Sequence, residues 1–132
     1  MMRAIKEGAD FTRADGKVIP NSLLTTDPTP ARRYAHISDT AYLPGIASKI
    51  GPVDLLFHET TYLNEHEKDA FIRGHSTARQ AALVAKEAGA AKLLTGHYSS
   101  RYYKDETGFL KEAREVFPGE VLLNDETLVV DL

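Results

Sequence analysis

Residues 53–61 read VDLLFHETT, a short apolar run that ends in four polar side chains. The apolar part is interrupted only by Asp54, which is typical of a buried strand. His58 and Glu59 follow at its carboxyl end, and open α/β sheets place their ligand sites at that edge. This stretch therefore predicts a buried strand with a candidate site directly after it.

Further strand patterns lie on both sides of this stretch. Short apolar or alternating runs predict strands at residues 34–38, 92–95, 121–123 and 127–130. An Asn124-Asp125 turn joins the last two of them, so these two are expected to close the sheet.

Two helices are predicted between the strands. Ser76 or Thr77 can cap the first, and Thr77 has capping-box spacing to Gln80. The second covers residues 109–117 and ends before a Pro-Gly pair. The resulting β-α-β-α-β order predicts an α/β fold for residues 33–132.

Residues 1–32 lack this alternation and are predicted to form an irregular N-terminal segment. An Asp15-Gly16 pair marks a turn, and three prolines between residues 20 and 30 block regular helix. Residues 17–19 are a candidate for a short strand. The predicted division is therefore 1–32 and 33–132.

Composition limits the possible functions. The 132 residues carry 16 basic and 19 acidic side chains, a formal net charge of -3, so any nucleic-acid role depends on a local site. The chain has no cysteine, which leaves His, Asp and Glu as metal ligands and suits a reducing cytosol. No apolar run near residues 1–10 is long enough for a signal peptide or a membrane span, so a soluble protein is expected.

Three predicted strands end in residues that can bind metal. Asp39, the pair His58-Glu59, and His97 each follow a strand, so their side chains are expected to converge at one sheet edge. Carboxylate and imidazole groups suit zinc or manganese. Each residue also has an ordinary interpretation: Asp39 as a helix cap, His58 and Glu59 as a pair that orients a ligand or a polar strand end, and His97 as a loop histidine.

A second candidate lies where the first helix begins. In Gly74-His75-Ser76-Thr77, backbone N–H groups and two hydroxyls can face an anion, with His75 as an acid or base. The alternative is a helix cap beside an exposed histidine. His36, within a strand, and His66, among charged residues, are expected to be structural and exposed respectively, with no functional role.

Four ordered motifs resemble ribonuclease Z at similar spacing. They are YAHISDT at 34–40, FHETTY at 57–62, GHSTA at 74–78 and TGHYSSRY at 95–102. The resemblance covers essentially the whole chain. It implies half of a metallo-β-lactamase αββα sandwich, with one mixed sheet and outer helices. It also implies a metal-dependent endoribonuclease that removes 3′ trailers from precursor tRNA in the cytoplasm.

The resemblance also implies roles for single residues. Asp39 matches an aspartate that bridges two metal ions, and His97 matches a histidine that binds one of them. The metals are zinc, with manganese or magnesium as alternatives. His75 matches a histidine that assists catalysis by donating a proton, and Ser99 and Arg101 lie where the family handles substrate phosphate. His58, Glu59 and Thr77 are expected to support the ligands or the phosphate.

One departure from the family is large. The His-x-His-x-Asp-His segment that supplies most of the family's metal ligands does not occur in this sequence. A catalytic zinc usually needs about three protein ligands and an open position. We therefore expect no stable dinuclear centre, and no activity, from this chain alone.

Two other functions remain open. One is a related hydrolase of the same fold that acts on small phosphodiesters or sulfate esters. The other is a non-catalytic half-domain that pairs with itself or with a partner, because half a sandwich leaves one apolar sheet face uncovered. A homo-oligomer, such as a homodimer, is expected on the same ground, and no membrane association is expected.

Overall fold

The structure, a computed structural model, describes residues 1–132, which separate into two units, Met1–Ala31 and Arg32–Leu132. The first unit contains helix α1 (Met2–Lys6) and an antiparallel pair of two-residue strands, β1 (Phe11–Thr12) and β2 (Val18–Ile19). The expected irregular segment therefore has short regular elements of its own, including a strand within the stretch proposed for one.

Asn21 ties the first unit together. Its side-chain amide donates to the carbonyl oxygens of Ile5 and Ala9, at 2.6 and 3.0 Å. Its backbone N–H donates to the Asp10 carboxylate. A 3-10 turn follows over Asn21–Leu23, so one side chain links the end of the helix to the end of the hairpin.

The second unit is built on a four-stranded sheet with strand order β3-β4-β5-β6. The strands are β3 (Tyr34–Ile37), β4 (Leu55–Glu59), β5 (Lys92–Gly96) and β6 (Glu120–Leu123). All three pairings are parallel, with Leu55 opposite Lys92 in the central pair. Consequently, the carboxyl ends of all four strands meet at one edge.

A mixed sheet was expected, and this detail of the prediction was wrong, because all three strand pairings are parallel. The predicted strand at 127–130 does not form. Asp125 instead closes a local turn, in which its carboxylate accepts from the N–H and the hydroxyl of Thr127 and its carbonyl accepts from Leu128. These local hydrogen bonds compete with an antiparallel return strand, and the β-branched run alone does not overcome them.

Four helices pack in this unit: α2 (Ile46–Ile50), α3 (Glu67–Arg73), α4 (Ala78–Ala88) and α5 (Thr107–Val116). The predicted capping box is present, with Thr77 and Gln80 bonding each other reciprocally. Asp39 caps no helix, because the next helix begins only at Ile46. None of the helices combines the length and apolar character that a membrane crossing requires.

The core lies between one sheet face and the helices. Leu56, Leu93 and Val121 project from adjacent strands against Ala85 of α4 and Ala113 of α5. Burying a leucine side chain fully contributes about 1.5–3 kcal/mol, so this layer holds the sheet firmly.

A second cluster surrounds Phe109, with Tyr62, Ala70, Ala78 and Tyr102 packed against it. It anchors the loops that follow β4 and β5 to helices α3, α4 and α5. These loops are therefore held in place at the carboxyl edge of the sheet.

Candidate metal centre

Glu59, the last residue of β4, is fully buried and accepts four hydrogen bonds. Its Oε1 accepts from Thr40 N–H at 3.1 Å and from His75 Nδ1 at 2.9 Å. Its Oε2 accepts from the N–H and the hydroxyl of Thr61, at 2.9 and 2.8 Å. A buried carboxylate needs such partners, and here they come from three separate segments of the chain.

Donor atoms of Asp39, Glu59, His75 and His97 all lie within 4.8 Å of one another. The Asp39 carboxylate lies 3.5 Å from His75 Nδ1, and its side chain is 72% exposed. His97 is also exposed. The predicted convergence at the sheet edge is therefore observed, with buried Glu59 beneath and Asp39 and His97 facing outward.

Asp39 and His97 share an unusual backbone conformation. Their φ angles are 51° and 63°, and no other non-glycine residue in the chain has a positive φ. The left-handed region is uncommon for residues with a Cβ, and such conformations concentrate at functional sites. Two residues singled out by their chemistry are thus also singled out by their backbone.

Hydrogen bonds on both sides fix the loop that carries His97. Before it, the Gly96 carbonyl accepts from Thr60 N–H at 2.8 Å. After it, Ser99 N–H donates to the Thr61 carbonyl at 3.0 Å. A Cβ at Gly96 would lie 2.8 Å from the Phe57 ring, so a larger residue there would force that ring to move.

His75 reaches the cluster from the turn between α3 and α4. Gly74, with φ 76°, ends α3, and His75 N–H donates to the Ala70 carbonyl at 2.8 Å. The imidazole packs against the rings of Tyr62 and His97, with centroids 6.1 and 5.4 Å away. It is only 20% exposed, which argues against the alternative of a helix cap beside an exposed histidine.

The hydroxyls of Ser76 and Thr77 do not face an open anion site. Ser76 Oγ donates to the Thr40 carbonyl at 2.7 Å, and Thr77 Oγ1 accepts from Gln80 N–H at 3.2 Å. Both residues are fully buried. The expected contribution of Thr77 to phosphate binding is therefore replaced by a capping role, because its hydroxyl is committed to the helix.

His58 also lies outside the cluster. Neighbouring strand residues point to opposite faces of the sheet, so His58 and Glu59 diverge. His58 is buried, and its Nδ1 lies 2.7 Å from the Glu59 carbonyl oxygen. Burial lowers the pKa of His58, and the neighbouring Glu59 carbonyl and carboxylate only partly oppose this shift. The side chain contributes to the strand end and not to the donor set.

Ser99 and Arg101 lie on the rim of the site. Ser99 Oγ accepts from Arg101 N–H at 3.4 Å and so caps a 3-10 turn over Ser100–Tyr102. The Arg101 guanidinium lies 5.8 Å from the Tyr62 ring centroid and 4.0 Å from the Asp69 carboxylate. Its side chain is 48% exposed, which leaves it available to an anionic ligand.

The two histidines assigned no role also lie apart from the donor set. His36 is exposed on β3 and stacks on Phe57 at 4.3 Å. His66 was expected to be exposed, but it is half-buried between the rings of Tyr62 and Tyr102.

Comparison with known families adds an independent observation. Residues 9–98 match the Beta-lactamase superfamily domain. The chain belongs to this superfamily. The match begins in the first unit and extends through β5 to the loop carrying His97, so it covers Asp39, Glu59, His75 and His97.

Relatives named ribonuclease Z confirm the resemblance to that family. The chain is 50% identical to "Ribonuclease Z" of Porphyromonas gingivalis strain W83 over 128 residues, which is 97% of this chain and 41% of that protein. It is 46% identical to "Ribonuclease Z" of Phocaeicola vulgatus over 131 residues, or 99% and 42% of the two chains. The chain thus spans about two fifths of the length of these relatives.

Solved structures of superfamily members confirm the fold class. Human tRNase Z, short form, superposes with a TM-score of 0.59 at 25% identity, covering 86% of this chain and 36% of the human one. The metallo-beta-lactamase fold protein YhfI from Bacillus subtilis gives 0.64 at 29% identity, over 70% and 37% of the two chains.

The four clustered side chains, Asp39, Glu59, His75 and His97, are of the right chemical type to bind metal, but too few of them are free to do so. Imidazole and carboxylate groups are ligands for zinc and manganese. Both Glu59 oxygens and His75 Nδ1 are already engaged in hydrogen bonds. Asp39 and His97 are the exposed donors, and two donors are fewer than the about three that a catalytic zinc takes from protein.

Sequence reasoning missed the central position of Thr61. Its hydroxyl lies within hydrogen-bond distance of Glu59, His75 and His97. The available signal was the second threonine of the HETT segment, which directly follows a strand end that was already singled out.

Proposed function

We propose that this chain carries part of the active site of a ribonuclease Z-like endoribonuclease, which hydrolyses a phosphodiester bond to remove 3′ trailers from precursor tRNA. The observation that carries the proposal is the convergence of Asp39, His75 and His97, two of which have positive φ. The relatives named ribonuclease Z, at 46% and 50% identity, support the choice of reaction.

Asp39 and His97 are the residues that would hold metal, with zinc as the proposed ion and manganese or magnesium as alternatives. A metal bound in such a site activates water and neutralises charge on a phosphate. Asp39 contributes an exposed carboxylate, and His97 contributes an imidazole on a loop held rigid at both ends. A catalytic zinc takes about three protein ligands, so Asp39 and His97 would need at least one further ligand to complete the site.

His75 is proposed as the proton donor to the leaving 3′-oxygen. Its Nδ1 faces the buried Glu59 carboxylate at 2.9 Å, which orients the ring. With Nδ1 so engaged, Nε2 is the nitrogen available to the substrate. The role of Glu59 is therefore to position His75.

Ser99 and Arg101 are proposed to bind the phosphate at the rim. The guanidinium offers a planar fork of donors that matches two phosphate oxygens. Its position over Tyr62 and near Asp69 orients it without burying it. Asp69 is a weak competitor for this guanidinium, because the pair lies 4.0 Å apart on the surface.

A chimaera gives the decisive test. The part of the Porphyromonas gingivalis relative that precedes its match to this chain would be joined to residues 1–132. We expect it to bind metal and to cleave a 3′-extended precursor tRNA. His75→Ala should lower turnover by about 10²–10⁴-fold while metal content is kept. His97→Ala should lower metal content itself.

Three outcomes would contradict the proposal. They are a metal-loaded chimaera without cleavage, loss of metal in the His75 variant, and preferential cleavage of bis-p-nitrophenyl phosphate. The last would favour the alternative of a related hydrolase that acts on small phosphodiesters. The unfused chain is the control, and calorimetry should show no submicromolar binding of two ions.

We also propose that the protein self-associates, as a homodimer, and acts in the cytoplasm. Phe71 and Ile72 are adjacent on α3 and are 77% and 79% exposed, which supports association. The cytoplasmic location rests on the proposed tRNA substrate. Sedimentation of the purified chain as a monomer at all concentrations would remove the first of these proposals.

A further inference from the structure

The Thr61 hydroxyl contacts three of the four residues in the donor cluster. Its Oγ1 lies 2.8 Å from Glu59 Oε2, 2.9 Å from His97 Nδ1 and 3.2 Å from His75 Nδ1. Thr61 is buried, so water does not compete freely for these contacts. This single hydroxyl therefore links the carboxylate beneath the site to both imidazoles.

The direction of each hydrogen bond follows from the available protons. A threonine hydroxyl donates one proton and accepts through two lone pairs, whereas an ionised carboxylate only accepts. The Thr61 proton therefore points to Glu59 Oε2, since two oxygens 2.8 Å apart need a proton between them. The lone pairs of Thr61 then face His97 and His75. Each of these rings must carry a proton on Nδ1 for its contact to be attractive.

We propose that Thr61 is a positioning residue that fixes His97 in the tautomer with the proton on Nδ1 and the lone pair on Nε2. The inference rests on the proposed role of His97 as a metal ligand. A histidine that binds metal through one nitrogen usually has the other N–H held by an acceptor, which fixes the ring. Here that acceptor is the threonine hydroxyl, and Nε2 is the ligand atom.

The backbone holds this contact in place before any metal binds. Thr60 N–H bonds to the carbonyl of Gly96, directly before His97, and the Thr61 carbonyl bonds to the N–H of Ser99, two residues after it. His97 has φ 63° between these two bonds. The imidazole is therefore directed at Thr61 by the β4 and β5 loops, and the tautomer is set by the protein alone.

Nuclear magnetic resonance of the metal-free chain tests the proposal. At about pH 8, where an ordinary imidazole is neutral, long-range ¹H–¹⁵N correlations separate the protonated from the unprotonated ring nitrogen. We expect His97 to carry its proton on Nδ1 in the wild-type chain and in Thr61→Ser. In Thr61→Val, which removes the acceptor but keeps the shape, we expect a shift towards the Nε2-H tautomer.

Thr60→Val is the matched control. Thr60 is equally buried, and its hydroxyl donates to the Gly96 carbonyl without contacting either ring. It should leave the His97 tautomer unchanged. An Nε2-H tautomer in the wild-type chain would overturn the proposal even if Thr61→Val fails to fold, and so would an unchanged tautomer in a folded Thr61→Val.

Zinc titration of the same variants, introduced into the chimaera that supplies the remaining ligands, separates this inference from the proposed function. Loss of an outer hydrogen-bond partner typically weakens metal affinity by about 10–100-fold, and we expect that loss in Thr61→Val but not in Thr61→Ser. If His97 shows no zinc contact in any variant, its proposed metal role fails while the tautomer result stands. Equal zinc affinity in the Val and Ser variants would overturn the link between Thr61 and metal binding.

Discussion

The strand end at residues 58–61 and the loop at residues 97–101 meet at the same edge of the sheet, yet they are built differently. In the strand end, all four side chains are polar, buried and hydrogen-bonded. In the loop, His97 and Arg101 are exposed and Ser99 is half-buried. A buried polar group must find its partners within the protein, whereas an exposed one can keep its capacity for a ligand.

This difference in burial predicts that the strand end contributes mainly to folding stability and the loop mainly to ligand binding. The strand end is a scaffold whose hydrogen bonds are complete, so changes there should alter the free energy of unfolding. The loop presents the exposed side chains of His97 and Arg101, which can still bind a ligand. Changes there should therefore alter ligand binding with little effect on folding. Proteins commonly place function on loops held by such rigid supports.

The largest expected effect is at Glu59, the most heavily bonded residue of the strand end. Glu59→Ala leaves the N–H groups of Thr40 and Thr61, and the Nδ1 of His75, without their carboxylate partner. Removing one partner of a buried pair costs about 3–5 kcal/mol, and we expect a loss of that size. Urea unfolding followed by circular dichroism measures it.

Asp39→Asn is the matched control, because Asp39 belongs to the same cluster but its side chain is 72% exposed. Its expected change in unfolding free energy is below about 0.5 kcal/mol. If both variants lose similar stability, burial does not separate the supporting residues of the cluster from its exposed ones.

Much of the second unit could be predicted from sequence. Strands β3, β4 and β5 have apolar or alternating runs bounded by turn residues, and α4 has a capping box, so local signals agree with the fold there. Helix α3 was missed because only Ala70 in it is buried, which leaves no apolar periodicity to detect. The expected strand at 127–130 failed because the Asp125 turn depends on local hydrogen bonds rather than on pattern.

The candidate site was predictable only in part, for a geometric reason. Asp39 and His97 follow strands, and parallel strands bring their carboxyl ends together, so their meeting follows from topology. The contacts of Thr61 join it to residues 14 and 36 positions away, His75 and His97. Which of several polar residues at a strand end points into a site depends on side-chain direction, and spacing along the chain does not specify that direction.

A smaller effect is expected from His58, which tests burial within the strand end. Burial lowers its pKa, so in the unfolded chain it gains a proton near ~6.5 while in the folded protein it remains neutral to lower pH. Protonation therefore favours unfolding. This contribution to stability is complete above ~6.5 and is lost as the pH falls, by up to about 1.4 kcal/mol per pH unit.

Urea unfolding at about pH 7 and about pH 5 gives the slope of the unfolding free energy against pH. His58→Gln should reduce this slope. His36→Gln is the control on an exposed histidine of the neighbouring strand, and its slope should match the wild type. Equal slopes in the wild-type protein and the His58 variant would show that His58 does not remain neutral in the folded state.

The smallest effect on stability is expected at Arg101, where the two regions should differ most clearly. The guanidinium is half-exposed and lies 4.0 Å from the Asp69 carboxylate, so Arg101→Ala should change the unfolding free energy by less than about 0.5 kcal/mol. A lost hydrogen bond to a charged phosphate is worth about 1.5–3 kcal/mol, so precursor tRNA cleavage by the chimaera should fall about 10–100-fold.

Arg101→Lys keeps the charge but loses the planar fork and should recover only part of the rate. Asp69→Asn removes the carboxylate charge beside Arg101 and 3.5 Å from His66 Nδ1, both on the surface, and should retain both stability and cleavage. If Arg101→Ala instead unfolds the chain while the rate per folded molecule is unchanged, the guanidinium belongs to the scaffold, and the phosphate role passes to another group on the rim.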